Sequence, residues 1–557
     1  MKKKEIFLVP YAHLDSQWRW EYPTTINKYI KNTIEENLKM FNRYDEHQFN
    51  FTGAIRYEFM KDYFSEQFKQ VKERISENKW HLAGTCLDET DALIPSMESM
   101  TRNILYGTKW QQAEFGKTSK DYMIPDCFGF PKNMPTVLAH NAINGFSTQK
   151  LTWGSAVGIP FELGVWKGSD SSAIISAFNP CAYVSKLKPS MKRNRSRQER
   201  LYSLGNSNDV WKSFQYYGVG DIGGAPTEGS IKRAIKSMKQ FDEHNPKFTV
   251  KQGSATQFFD EITAEETNKL DTYTGDLLLI NHSAGTLTSA AIMKRWNRKN
   301  EQLAYAAETA AVIANKIAGL PYPTTKIQQA WKRFIACQMH DILPGTSTPL
   351  AYEYSQNDEV VALNTWTSIL QDSAQAIAPY VEGNGDILVF NPLAEQRSDV
   401  ISFTYPTKIT HIKDNNGNLY PVSFKEDAYF ATPTLEPMSY TRFKGIQENT
   451  LSNQLIYQTD DKYILENDYI KVSITKEGTI YSIVNKEIDK ELLKEPIAYE
   501  FQKERPYLYP AWNMDWRDRK KQPILRLEKG EVSIVVNDAN MATIRITTRH
   551  NESVFLK

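Results

Sequence analysis

The sequence predicts three successive architectures: an α/β N-terminal domain that is parallel, strand-rich and barrel-like, then a small helical bundle, then an all-β, sandwich-like domain. Three observations lead there. Short apolar runs alternate with helical stretches up to about residue 265, a strand-poor segment rich in Ala, Lys, Glu and Arg follows, and from residue 385 alternating strands are punctuated by turn residues. The expected boundaries are 1–265 for the α/β catalytic domain, 266–383 for the helical bundle and 384–557 for the β domain.

The first element is the uninterrupted run Ile6-Phe7-Leu8-Val9, which reads as a parallel strand buried on both faces. Helical spacing follows at 26–41, a strand at 49–52, helical spacing at 59–76, a strand at 80–83 and a helix at 101–115. Parallel sheets place their ligands at the carboxyl ends of the strands, so the residues just after each strand are where function is expected. Helices are predicted over 289–317 and 325–338, separated by Gly319-Leu320-Pro321-Tyr322-Pro323, and over 359–381. In the β region, a strand at 407–412 precedes the turn Asp414-Asn415-Asn416-Gly417-Asn418, and one at 469–474 precedes Lys476-Glu477-Gly478. The strand-like 542–548 is followed closely by the last residue, Lys557, so the β domain is expected to be incomplete.

A chain of 557 residues is too long for a single core. Its 67 basic and 66 acidic residues leave a net charge of +1, which offers no electrostatic footprint for nucleic acid or an anionic membrane and favours a neutral substrate. Cys86, Cys127, Cys181 and Cys337 lack C-x-x-C spacing, which argues against a disulfide framework and for reduced thiols in a cytoplasm. The N-terminal apolar run is only four residues long before Pro10, far short of a signal-peptide core or a membrane span. The 29 tyrosines, 26 phenylalanines and 12 tryptophans suit sugar stacking and large cores equally.

Three distant stretches look like parts of one metal site: Tyr11-Ala12-His13-Leu14-Asp15, Pro125-Asp126-Cys127-Phe128-Gly129 and Gln338-Met339-His340-Asp341. Residues two apart at a strand's end point to the same side, so His13 and Asp15 can grip one ion. Two histidines with two carboxylates form a nitrogen and oxygen donor set that suits zinc and leaves room for a substrate.

Together with His282-Ser283-Ala284-Gly285-Thr286 and His340-Asp341-Ile342-Leu343-Pro344-Gly345-Thr346, these motifs resemble family 38 glycoside hydrolases, the zinc-dependent retaining α-mannosidases, of the bacterial cytoplasmic type. The resemblance runs from residue 6 to about 400 and continues weakly into the β region. It implies Zn2+ held by His13, Asp15, Asp126 and His340, with Asp126 serving also as the nucleophile. Retaining glycosidases need that carboxylate and a second one about 5 Å away to protonate the leaving oxygen and then activate water. Zinc bound to two adjacent sugar hydroxyls would recognise the axial 2-hydroxyl of mannose.

The resemblance further implies that Trp18 stacks on the sugar, that Phe128 lies under the ring and that Asp341 binds hydroxyls. Lys150 stands 24 residues after the nucleophile, where animal members carry arginine, and would put a cation beside Asp126. The catalytic acid is expected in Gly218-Val219-Gly220-Asp221-Ile222-Gly223-Gly224, a glycine loop around one acid. Animal members have two consecutive aspartates there and use the second. Here Asp221 is either the acid or a residue that orients another group, with Glu89 and Asp91 in reserve. His282 is expected behind the metal ligands.

The function expected is that of a retaining exo-α-mannosidase releasing terminal mannose through a covalent mannosyl-aspartate. The alternatives are a zinc-dependent carbohydrate deacetylase, which uses water as nucleophile, and a non-catalytic mannoside-binding fragment. The partner expected is a mannose-containing oligosaccharide or glycan, with neither nucleic acid nor membrane, and homo-oligomerisation stays open. Family members usually run several hundred residues further in β-structure, so the β domain here is expected to be truncated.

Overall fold

The computed structural model describes residues 4–189, 194–244, 248–448, 454–538, 540–550 and 554–556. The first strand, β1 (Lys4–Ala12), has every side chain from Glu5 onward buried, as its unbroken apolar run requires. Three further strands, β2 (Phe49–Thr52), β3 (Trp80–Ala83) and β4 (Asp121–Met123), follow, with β5 (Gly145–Ser147), β6 (Leu163–Lys167), β7 (Ala173–Ala177), β8 (Lys212–Val219) and β9 (Phe248–Gln252) after them.

One five-stranded sheet is entirely parallel. In it β8 pairs with β1 from Glu5 to Ala12, while β9 takes the start of the other edge of β1 and β2 meets its end at Tyr11, with β3 outermost. A second sheet holds β4, β5, β7 and β6 with the strand Thr272–Thr274 outermost, and its one antiparallel pair is β6 with β7. Cores of aromatic and β-branched residues fill the faces, among them Phe7, Val9, Phe214 and Phe258 on one side of β1 and Ile6, Leu8 and Tyr217 on the other.

The helical spacing over 59–76 resolves into two helices, Ala54–Tyr63 and Ser65–Ser76, because Phe64 leaves the helical region at φ −136° and ψ 51°. That break lets Tyr57 and Met60 on one helix and Phe68, Val71 and Ile75 on the next reach the same core. The middle of the chain is helical, as expected: α1 (Ala291–Ala318), α2 (Thr324–Ala336) and α3 (Pro349–Ile377). Helix α3 begins ten residues before its expected start at 359, because Pro349 is tolerated at the first helical position, where its missing N–H would be unpaired anyway. None of the helices among the described residues is long and apolar enough to cross a membrane.

The C-terminal region is built from antiparallel sheets, such as Ile387–Asn391 against Ser439–Ile446 and the pair Glu531–Asn537 and Ala542–His550. The turn expected after the strand at 407–412 joins His411–Lys413 to Leu419–Pro421, with Gly417 at φ 92° and the Asp414 carboxylate accepting from the Asn418 amide. By contacts the chain divides into two compact units, 1–304 with 324–367 and 506–515, and 305–323 with 368–505 and 516–557. Residues 506–515 thus belong with the α/β unit although their neighbours in sequence belong to the β unit.

The close pairing of β1 with β8 depends on Gly218. A Cβ there would stand 1.7 Å from the Tyr11 carbonyl oxygen, and that obstacle is backbone. Gly218→Ala should therefore force the strands apart and cost about 1–3 kcal/mol or more. The expected outcome is a lower thermal midpoint for the purified variant.

Candidate active site

The site is assembled where β1 ends. Beyond Ala12 the backbone pairs with the loop after β8: the His13 N–H donates to Val219 O at 3.0 Å, the Asp15 N–H to Asp221 O at 3.0 Å and the Gly223 N–H to His13 O at 2.8 Å. This extended pairing sends Leu14 into the core and turns His13 and Asp15 to the opposite side together. His340 comes from the turn after α2, and the His13 and His340 Nε2 atoms lie 3.0 and 3.1 Å from Asp15 Oδ1. All three side chains are buried.

Two overlapping groups of ligand atoms fall within 4.8 Å of one another, His13 with Asp15 and His340, and His13 with Asp126 and Asp221. His13 is common to both. His340 Nε2 is buried without a hydrogen-bond partner, because its approach to Asp15 is too poorly aligned to count as one. An unsatisfied imidazole nitrogen and a carboxylate oxygen facing a second imidazole form a donor set that fits a borderline cation such as zinc.

Asp126 sits in the turn after β4, and its Oδ1 accepts from Lys150 Nζ at 2.5 Å. The Lys150 ammonium lies over the rings of Phe128 and Trp153, at 4.9 and 4.7 Å from their centroids. Asp221 Oδ1 accepts from the Tyr183 hydroxyl at 2.7 Å. Asp341 Oδ1 accepts from Thr346 Oγ1 at 2.5 Å.

The electrostatics follow from burying several acids together. Burial would push the His13 imidazole down, but Glu89 and Asp15 beside it raise it to about 9. For Asp15 burial is likewise outweighed, and His13 and His340 hold its carboxyl well below the usual range. Asp221 is shifted the other way, upward, by burial and then by the charge of Asp15. The same two causes lift Asp341 to about 7. His282 is lowered to about 4 by burial and by Lys150.

Asp15, Asp126, Lys150, Asp221 and Asp341 line one cavity of about 250 Å3 together with aromatic residues, whereas His13 and His340 do not line it. Trp18 stands on its wall, with the Arg19 guanidinium 4.1 Å from the centre of its ring. Phe128 is placed elsewhere: it is 3% exposed, packs edge-on to His340 and does not line the cavity. His282, expected behind the ligands, is itself on the wall, 5.0 Å from both Trp153 and Tyr509. Glu89 and Asp91 are fully enclosed and do not line the cavity; the Asp91 carboxylate accepts from the Leu93 and Ile94 amides, so Asp221 is the acid that faces it.

Sequence reasoning did not find Trp153, Tyr183, Tyr509 or Trp512, all on the cavity wall. Trp153 had a signal, since Lys150–Trp153 is one turn of 3-10 helix that puts its first and last residues on one face. Tyr509 and Trp512 belong to the aromatic and proline-rich 506–515, a break in texture inside the β region. That segment is pinned to the His282 loop, where the Gly285 N–H donates to Trp512 O at 2.9 Å and the Ser283 N–H to Asn513 Oδ1 at 3.3 Å.

The chain matches the Glycosyl hydrolases family 38 N-terminal domain over residues 3–276, the Alpha mannosidase middle domain over 282–377 and the Glycosyl hydrolases family 38 C-terminal domain over 465–556. It is 30% identical to Alpha-mannosidase G of Dictyostelium discoideum over 62% of its own length and 31% of that protein. It is 25% identical to Alpha-mannosidase 2C1 of Homo sapiens over 92% of its length and 48% of that protein. The chain thus spans less than half the length of both relatives. The crystal structure of an alpha-mannosidase from Enterococcus faecalis V583 shares the fold, with a TM-score of 0.76 at 16% identity, covering 98% of this chain and 67% of that one. Three domain matches in family order, over residues 3–276, 282–377 and 465–556, establish that the chain belongs to glycosyl hydrolases family 38.

Proposed function

We propose that the chain is a retaining exo-α-mannosidase that removes terminal α-linked mannose from an oligosaccharide or glycan. The observation that carries this reading is the approach of the Asp126 and Asp221 carboxylates to within 4.8 Å. So close an approach is compatible with the roughly 5 Å spacing of a nucleophile and acid/base pair in a retaining enzyme. A cavity of about 250 Å3 closed by aromatic rings suits a single sugar ring at a chain end.

In the first half of the reaction Asp221, whose pKa burial and the charge of Asp15 raise, gives its proton to the glycosidic oxygen. Asp126 attacks the anomeric carbon from the other face and forms a mannosyl ester, its free oxygen held by Lys150. Asp221, now ionised, draws a proton from water, which attacks the anomeric carbon and releases mannose. Tyr183 orients Asp221 through both halves, and Trp18 and Trp512 exclude solvent from the ring faces. His13, Asp15, Asp126 and His340 would hold zinc, whose contribution is to bind sugar hydroxyls and offset negative charge on the cavity floor. The four cysteines are all buried and unpaired, in keeping with a reducing cytoplasm.

Chelation should remove activity on an α-mannoside and added Zn2+ should restore it, with the first-formed sugar being α-mannose by NMR. Inversion would refute the double-displacement scheme, and release of acetate instead of mannose would favour the deacetylase. Asp126→Ala should leave no measurable turnover in a chain that still folds, and near-parental rates would overturn the nucleophile assignment.

Asp221→Ala should slow mannosides with poor leaving groups by about 10²–10⁴-fold and activated aryl mannosides far less, with azide restoring part of the second step. The reaction needs Asp221 protonated, so kcat/KM should fall as pH rises through its raised pKa, and the residual activity of Asp221→Asn should lack that alkaline limb. Equal slowing of both substrate types, without azide rescue, would reduce Asp221 to an orienting role.

A further inference from the structure

Glu89 is fully buried, takes no part in the reaction above, and touches both histidines of the candidate metal site. The Tyr11 hydroxyl donates to Glu89 Oε1 at 2.9 Å. With that proton so placed its oxygen is free to accept, and His13 Nδ1 stands 3.1 Å from it in position to donate. Glu89 Oε2 stands 3.4 Å from the same nitrogen and has no hydrogen-bond partner of its own. On the other side, the Glu89 backbone carbonyl accepts from His340 Nδ1 at 2.8 Å and from the His340 N–H at 3.1 Å. A carbonyl only accepts, so a neutral His340 carries its proton on Nδ1 as well.

Glu89 is held in turn. Arg56 lies 3.4 Å from its Oε1 and 3.2 Å from Asp88 Oδ1, Thr52 donates to Oε1, and the Glu89 N–H donates to Asp88 Oδ1 at 2.8 Å. The following residues clamp the turn that bears His340, through a bridge between Thr90 and Met339 and the Asp91 N–H donating to Gln338 O at 2.7 Å. A buried arginine with two carboxylates is a costly arrangement, and here it holds the residue that contacts both rings.

We propose that Glu89 is the positioning residue of the metal site: its carboxylate fixes the His13 tautomer, directly and through Tyr11, while its carbonyl fixes that of His340. Each Nε2 atom is thereby brought beside Asp15 Oδ1, at 3.0 and 3.1 Å, with its lone pair left for a cation that all three would bind. The inference rests on the zinc reading of this site.

The test is zinc affinity of the full chain, measured by competition with a chromophoric chelator, together with the visible spectrum of the Co2+-loaded protein. Glu89→Gln should weaken zinc binding by about 10- to 100-fold and alter the Co2+ bands. Tyr11→Phe, which leaves the Arg56 pairs intact, should show a smaller loss in the same direction with an unchanged thermal midpoint for the metal-stripped protein. Parental zinc affinity in the folded variants would overturn the inference; if Glu89→Gln does not fold, Tyr11→Phe alone decides by the same criterion. His340→Ala separates the two claims. Should it lose zinc while the Tyr11 and Glu89 variants keep it, the positioning role falls and the zinc site stands; should it too bind zinc normally, the zinc reading itself is wrong.

Discussion

Everything at the site depends on β1 being held on both edges and covered on both faces. Its parallel partners, β8 on one side and β9 with β2 on the other, leave it no freedom to shift register. A shift of one residue would turn Leu14 outward and His13 and Asp15 into the core. The pairing continues past the strand itself, where the backbones of His13 and Asp15 meet Val219, Asp221 and Gly223. One stretch of ladder therefore sets the positions of His13, Asp15 and Asp221 together.

Charge is the second constraint. Asp15, Asp126, Asp221 and Asp341 share a small cavity with few counter-charges, so their ionised forms cannot all be stable there unaided. The protein divides them. Asp15 is kept anionic by two histidines and Asp126 is paired with Lys150, while Asp221 and Asp341 are pushed toward their protonated forms. One low-dielectric pocket thus places its carboxyls in unequal electrostatic surroundings. Lys150, wedged between Phe128 and Trp153, gives a single directed bond where a guanidinium would give a fork, which leaves the second Asp126 oxygen for other partners.

The aromatic wall is assembled from distant sequence. Trp18 follows β1, Trp153 lies in a short turn beyond β5, and Tyr509 and Trp512 enter from 506–515. Such rings can cover the faces of a ligand without committing to one pattern of polar groups, so stereochemical discrimination falls to the polar side chains of the cavity. This separates a rigid, chemically specific floor from walls carried by loops, where changes in substrate can be accommodated.

Local periodicity is enough to set the order of architectures and those parts of the site that depend on neighbouring residues. The strands at 49–52 and 80–83 are legible in the sequence to the residue, because alternation and burial are local signals. His13 and Asp15 are paired by their spacing alone, since two residues apart on an extended chain means the same side. Relations between distant segments come only from the tertiary fold. The motif at Phe128 places an aromatic near the site, but only packing against His340 puts it behind the cavity instead of on its wall. The acidic stretch around Glu89 reads as solvent-exposed or catalytic, and the buried Arg56 that accounts for it lies 33 residues earlier. Tyr509 and Trp512 sit within a β-rich region whose local pattern says nothing of the α/β unit they join. A hydrogen bond between residues 285 and 512 has no periodicity to read, because it exists only once both segments are folded.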